Sequence, residues 1–99
     1  MYKFGERLKT LRKRDNISQN ALSKELDMTR AAINAWEMGI NTPNAQSLIM
    51  LSQYFHVSVD YLLGVDDRIM LDISRLSERE QRAVSEMVSC FEALARPED

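Results

Sequence analysis

The stretch ISQNALSKELDMTRAAINAWEMGINTP, residues 17–43, contains two short helical patterns joined by only a few residues. The first helix is predicted over residues 19–26 and the second over residues 30 to about 38. Ser18 and Thr29 stand where N-caps are expected, because their side-chain oxygens can accept a hydrogen bond from a free N–H of the first turn. So short a connection makes the two helices cross steeply, at about 90–120°.

The second helix of this pair has a core side and a free side. Ile33 and Trp36 fall on the core side, so Trp36 is expected to be buried rather than to serve as a stacking platform. The free side is formed by Arg30, Ala31, Asn34 and Ala35. A helix that protrudes in this way, about 10–12 Å across, fits the major groove of duplex DNA, which is about 12 Å wide.

The rest of the chain also reads as helical, so the predicted fold class is all-α. Apolar residues at helical spacing predict further helices over residues 4–14, 45–55, 59–63 and 78 to about 95. Ser77 to Glu80 has the capping-box form that begins the last helix, and Pro97 is expected to end it. Residues 65–75 are predicted as a turn followed by a short apolar contact strip at residues 69–73.

Length and charge divide the chain into two parts. A chain of 99 residues is enough for one domain with one modest core. We predict a five-helix domain over residues 1–64 and a C-terminal helical segment over residues 65–99. The first part holds eight Lys or Arg against six Asp or Glu, and the second holds five Arg against nine acids. A mildly basic N-terminal part followed by an acidic C-terminal part is typical of a protein whose first part binds a polyanion.

Composition argues against several classes of protein. One cysteine and one histidine exclude an intrachain disulfide, a zinc site of several cysteines and an HExxH metal site. His56 and Cys90 are a weak basis for a nucleophile pair, and Cys90 is expected to pack as a small apolar residue. No glycine-rich phosphate loop, signal peptide or apolar run of membrane-spanning length is present. We therefore expect a cytoplasmic protein with no enzymatic activity, no metal site and no cofactor.

Residues 17–43, followed by SLIMLSQYFHVSVDYLLG at residues 47–64, resemble the helix-turn-helix family of phage lambda-type repressors and Cro proteins, and the xenobiotic-response-element class of bacterial regulators. The resemblance covers about residues 4–64. It implies a five-helix lambda-repressor-like DNA-binding domain whose second and third helices form the helix-turn-helix. Where the family usually has glycine, this chain has Asp27 at the inter-helix turn and His56 after the fourth helix. Asp tolerates the left-handed conformation better than most residues, so the turn is expected to survive.

The resemblance also implies roles for individual residues. Base edges would be contacted by Arg30, Ala31, Asn34 and Ala35. Arg30 could bind guanine O6 and N7, Asn34 could bind adenine N6 and N7, and the alanines could offer methyl contacts. Phosphates would be contacted by Gln19, Thr29, Asn41 and Thr42, which set the register and carry no sequence information. Arg12 and Glu37 match positions that often form an ion pair between the first and third helices.

The last predicted helix carries a broad apolar stripe, formed by Val84, Met87, Val88, Phe91 and Leu94. Such a stripe packs back on the domain, pairs with a second copy, or docks another protein such as an antirepressor or a toxin. We favour a homodimer, because one recognition helix buries too little for specific affinity and two can read a palindromic operator.

The sequence thus predicts a sequence-specific regulator of transcription that binds double-stranded DNA. We expect a homodimeric repressor of a phage, a mobile element or a bacterial operon. The alternative is an antitoxin-like or adaptor protein whose main task is to hold a protein partner through its last helix.

Overall fold

The computed structural model describes residues 3–95, which contain six α-helices and no strand. The helices are α1 (Phe4–Arg14), α2 (Gln19–Glu25), α3 (Arg30–Glu37), α4 (Ala45–Phe55), α5 (Val59–Leu63) and α6 (Glu78–Ala95). The all-α prediction is therefore confirmed. Helices α2 and α3 each end one residue before the predicted limit, because Leu26 and Met38 are C-caps. Pro97, predicted to end the last helix, lies outside the described residues.

Polar N-caps begin most of these helices, and Ser18 and Thr29 are the residues predicted for α2 and α3. In each case the side chain accepts a hydrogen bond from the N–H three residues ahead, at 2.8–3.0 Å, and this holds for Ser18, Thr29, Asn44 and Ser58. At the start of α6 the Ser77 N–H donates to Glu80 Oε1 at 2.9 Å, and the Glu80 N–H donates to Ser77 Oγ at 3.2 Å. The hydrogen bond that the Ser77 N–H donates to its carboxylate lowers the pKa of Glu80. The predicted capping box is confirmed.

Among residues 3–95, three helices are followed by a residue other than glycine in the left-handed conformation. Asp27, between α2 and α3, has a φ of 52°, and His56, the C-cap of α4, has a φ of 57°. The left-handed turn at Asp27 was expected, whereas for His56 the sequence showed only that it stands where the family usually has glycine. Asn16, between α1 and α2, shares this conformation with a φ of 53° and was not singled out by the sequence.

One apolar core joins the first five helices. Its buried side chains are Phe4, Leu8, Leu11, Leu22, Leu26, Ile33, Trp36, Leu51, Phe55, Val57 and Leu62. The prediction that Trp36 belongs to the core is confirmed. Helix α3 packs against both α1 and α2, so its position depends on two neighbours.

Gly5 allows an unusually close approach of α1 to the end of α3. A Cβ at this position would lie 2.6 Å from the Trp36 carbonyl oxygen and 2.8 Å from the Glu37 carbonyl oxygen. Both neighbours are backbone atoms, so a larger residue would push the two helices apart. The C-terminal end of α3 thus packs directly on the first turn of α1.

The segment after α5 lies largely on the surface. The contact strip predicted at residues 69–73 is wrong as a buried element: Ile69, Met70 and Leu71 are exposed, and Met70 and Leu71 only border an open groove beside His56. Cys90 is exposed, contrary to the packing role expected for it within one chain. Within the described residues, no helix combines the length and the apolar character needed to cross a membrane.

Candidate nucleic-acid interface

The free side of α3 reaches solvent as predicted. Arg30, Ala31 and Asn34 are exposed and Ala35 is half-buried. Arg30 forms no ion pair with any of residues 3–95, so its guanidinium is available for a ligand. The four residues assigned to base edges therefore share one accessible surface, which we call the α3 outer face.

The Arg12–Glu37 ion pair braces α3 against α1. Arg12 Nε lies 2.7 Å from Glu37 Oε2, and Arg12 Nη2 lies 3.0 Å from Glu37 Oε1. The side chains are 13% and 4% exposed. The Glu37 carboxylate raises the pKa of Arg12 further above its ordinary value. Arg12 also donates to the Ile17 carbonyl at 3.0 Å, so one guanidinium holds α1, α3 and the α1–α2 connection together.

Gln19 extends this ion pair to the α3 outer face. Its Nε2 lies 3.2 Å from Glu37 Oε1 and 3.3 Å from Asn34 Oδ1. The resemblance suggested a phosphate contact for Gln19 and gave no sign of this bridge. To donate to phosphate, the Gln19 amide would have to exchange one of these partners, since an amide nitrogen carries two hydrogens. In this structure Gln19 therefore orients Asn34.

The remaining residues assigned to phosphate contacts flank α3 at its two ends. Thr29 is exposed at the N-terminus, where its hydroxyl accepts from the Ala32 N–H at 3.0 Å and keeps its own hydrogen to donate. Asn41 and Thr42 are exposed in the loop after α3 and border a groove beside the first turn of α1. Ile40, in the same loop, is 71% exposed and was not singled out by the sequence.

The apolar stripe of α6 is uncovered. Val84 is half-buried, whereas Met87, Val88, Phe91 and Leu94 are 58, 51, 61 and 76% exposed. The stripe therefore does not pack back on the first five helices, which removes one of the three arrangements left open by the sequence. The dimer or partner interface assigned to these five residues stays a prediction.

Comparison with known proteins places these features in a family. A helix-turn-helix family model matches residues 8–62. Repressor protein C2 of Salmonella phage P22 is 34% identical over 90 residues, which cover 91% of this chain and 41% of that protein. The transcriptional activator BcrR of Enterococcus faecalis is 40% identical over 68 residues, which cover 69% of this chain and 33% of BcrR. The chain thus spans less than half the length of these two relatives.

Solved structures agree with the sequence matches. The P22 c2 repressor in complex with a synthetic operator matches 64% of this chain and 96% of its own, with a TM-score of 0.60 and 40% identity. A transcriptional regulator from Listeria innocua matches 95% of this chain and 96% of its own, with a TM-score of 0.60 and 25% identity. From the family model, the relatives and the fold together, the chain belongs to the Cro/C1-type helix-turn-helix family.

Proposed function

We propose that this protein is a sequence-specific transcriptional repressor that binds double-stranded operator DNA through the α3 outer face. The observation that carries the proposal is the accessible, unpaired Arg30 beside an Asn34 held in place by Gln19. Membership of the family supports it, as does the likeness to a phage repressor whose solved structure contains operator DNA. Repression by blocking a promoter needs only occupancy of the operator.

The chemistry of the α3 outer face suggests how bases are read. The Arg30 guanidinium offers the fork of donors that matches guanine O6 and N7. Asn34 Oδ1 has two lone pairs, so it can accept from adenine N6 while it also accepts from Gln19. Ala31 and Ala35 offer methyl groups for contact with thymine. Gln19, Thr29, Asn41 and Thr42 are the proposed donors to phosphate oxygens.

We further infer that a second copy of this chain covers the α6 stripe. Most of the stability of a helix in a protein comes from packing of its apolar face, yet Met87, Val88, Phe91 and Leu94 of the 18-residue α6 are each more than half exposed. A two-fold dimer would also present two α3 helices to successive major grooves, about 34 Å apart. The expected operator is therefore an inverted repeat.

Selection of bound duplexes from a random pool tests the DNA-binding proposal. We expect the unaltered chain to enrich an inverted repeat whose half-sites lie about 10 bp apart, centre to centre. A reporter gene placed behind that sequence should lose expression when the protein is present. A pool that yields no enriched sequence would overturn the proposal, and increased reporter expression would reverse the sign of regulation.

Light scattering of two α6 variants tests the pairing proposal. Phe91→Asp places a charge in the stripe and should shift the mass of the particle from dimer to monomer. Ser89→Asp is the matched control, because two residues along a helix turn the side chain by about 200°, away from the stripe. A monomeric unaltered chain, or a dimer that Phe91→Asp leaves intact, would contradict pairing through α6.

A further inference from the structure

Arg7 holds the point where the chain leaves the first five helices. Its Nη1 donates to the Tyr61 carbonyl at 2.5 Å and to the Asp66 carbonyl at 2.9 Å, while its Nη2 is paired with the Asp67 carboxylate. The guanidinium carbon lies 4.2 Å from the centroid of the Tyr61 ring. The Arg7 side chain is only 15% exposed although that of Asp67 is 79% exposed. One side chain of α1 thus fixes both the end of α5 and the start of the segment that leads to α6.

The same turn of α1 also seats the recognition helix. Gly5, two residues before Arg7, lies against the Trp36 and Glu37 carbonyls at the end of α3. We call residues 65–77, which connect α5 to α6, the exit segment. The first turn of α1 therefore contacts both the end of α3 and the exit segment. No flexible loop intervenes between the α3 outer face and the Arg7 contacts.

Beyond Asp67 the hydrogen bonds are local. Arg68 donates to the Asp66 carboxylate, Ser74 to the Asp72 carboxylate, and Gln81 Nε2 to the Ile73 and Leu76 carbonyls. These bonds lie within residues 66–81. The start of the segment is tied to α5 by the Asp66 N–H, which donates to the Asp60 carbonyl at 3.3 Å, and to the N-terminal end of α1 by Lys3 Nζ, which lies 4.0 Å from Asp67 Oδ1. Because Arg7 binds both Asp66 and Asp67, its contacts contribute most to the direction in which the segment departs.

We propose that Arg7, acting through Asp67, is a positioning residue that determines which spacing between operator half-sites the dimer prefers. This inference rests on the proposed function, since it needs DNA binding by two copies joined through α6. In such a dimer the separation and the relative rotation of the two α3 helices depend on where each chain leaves its own domain. Each base pair added between half-sites moves them about 3.4 Å apart and rotates one relative to the other by about a tenth of a turn.

Binding to operators with altered spacers tests the inference. The selected operator is remade with its centre shortened or lengthened by one or two base pairs. For the unaltered chain we expect affinity to fall by about tenfold or more at the first change, because the second α3 no longer meets its groove. For Asp67→Asn we expect the differences between spacers to shrink to about threefold or less, because the ion pair at residue 67 is lost, only the bonds from Arg7 to the Tyr61 and Asp66 carbonyls remain, and the residues that follow can take more than one direction.

Asp15→Asn is the matched control. Asp15, like Asp67, is a surface carboxylate paired with an arginine of α1, here Arg14 at 2.8 Å, but Arg14 donates its remaining hydrogen bond to the Phe55 carbonyl and not to residues 65–77. The Asp15→Asn substitution removes one negative charge, as Asp67→Asn does. It therefore reproduces any gain in affinity for DNA that comes only from weaker repulsion of the phosphates. Its spacer preference should equal that of the unaltered chain. Asp67→Glu, which keeps the carboxylate, should restore the preference.

The outcomes separate the two proposals. Because Asp67 is exposed, Asp67→Asn is expected to fold, and its affinity for a single half-site should equal that of the Asp15→Asn control. An unchanged spacer profile in Asp67→Asn would overturn the positioning role while leaving the regulator proposal intact. Failure of the unaltered chain to bind any selected duplex would overturn both.

Discussion

Arg30 and Glu37 lie at opposite ends of α3 and contribute to different properties of the molecule. Arg30 is exposed and is proposed to read a base, whereas Glu37 is buried and paired with Arg12. Gln19 connects the two regions, because its amide contacts both Glu37 and Asn34. Substitutions at the two ends should therefore be distinguishable, one by its effect on DNA recognition and the other by its effect on the free energy of unfolding.

Arg30→Ala is expected to relax sequence preference at one base position of each half-site. The lost contact should cost about 1–3 kcal/mol of binding free energy at the preferred sequence. The measurement is affinity for a panel of operators changed one base at a time. Lys13→Ala, which removes an exposed charge from α1, should weaken binding to every sequence about equally. An Arg30→Ala protein with an unaltered preference would refute the base contact.

Glu37→Ala is expected to lower the free energy of unfolding by about 3 kcal/mol, the low end of the range for a broken buried ion pair, because Arg12 keeps its bond to the Ile17 carbonyl. Urea unfolding measures this change. The double variant Arg12→Met, Glu37→Leu should recover much of the loss, since neither charge is then left unpaired. A Glu37→Ala protein within about 0.5 kcal/mol of the unaltered chain would show that the pair is not stabilising.

At the scale of elements, the angle between α2 and α3 depends on a turn that places Asp27 in the left-handed region. Its φ of 52° is one that β-branched residues adopt only at high cost. The Met28 N–H donates to the Ser23 carbonyl at 2.8 Å and closes the end of α2. A substitution that moves Asp27 out of this conformation would change how α3 is presented.

Asp27→Val is expected to destabilise the fold by about 1–2 kcal/mol, because valine is strained in this conformation. Asp27→Gly should be neutral or slightly stabilising, since glycine adopts it freely but gains entropy in the unfolded chain. Thermal unfolding of both variants gives the comparison. Equal stability of the valine variant and the unaltered chain would mean that the turn is not held in the left-handed region.

Features encoded within a few residues were predictable from the sequence, and contacts made across the fold were not, apart from the Arg12–Glu37 ion pair, which the resemblance implied. The N-caps Ser18 and Thr29 and the left-handed turn at Asp27 depend on local chemistry. The Gln19–Asn34 bridge and the Arg7–Asp67 pair join side chains 15 and 60 residues apart. Such contacts depend on how helices pack, which periodicity alone does not specify. The contact strip predicted at residues 69–73 was wrong for a related reason. An apolar run in the sequence does not specify which part of the fold, if any, packs against it.

The whole molecule separates charge by segment, with a basic balance before residue 65 and an acidic one after it. We expect affinity for the operator to fall steeply with salt, because phosphate contacts release bound counterions. A dimer with about six such contacts should lose about a thousandfold between roughly 50 and 200 mM salt. Binding measured over that range gives the slope, and a flat response would contradict recognition through phosphates.

The core described above is confined to side chains between Phe4 and Leu62, and among residues 3–95 none of its members comes from α6. In the proposed dimer, a protease that cleaved the exposed stretch around Ile69 would therefore leave the first five helices folded while separating them from α6. The released domain would still fit one half-site, but it would lose the avidity that a tethered twin provides. Cleavage of a single peptide bond would in this way release the protein from its operator while the core of the first five helices stays folded.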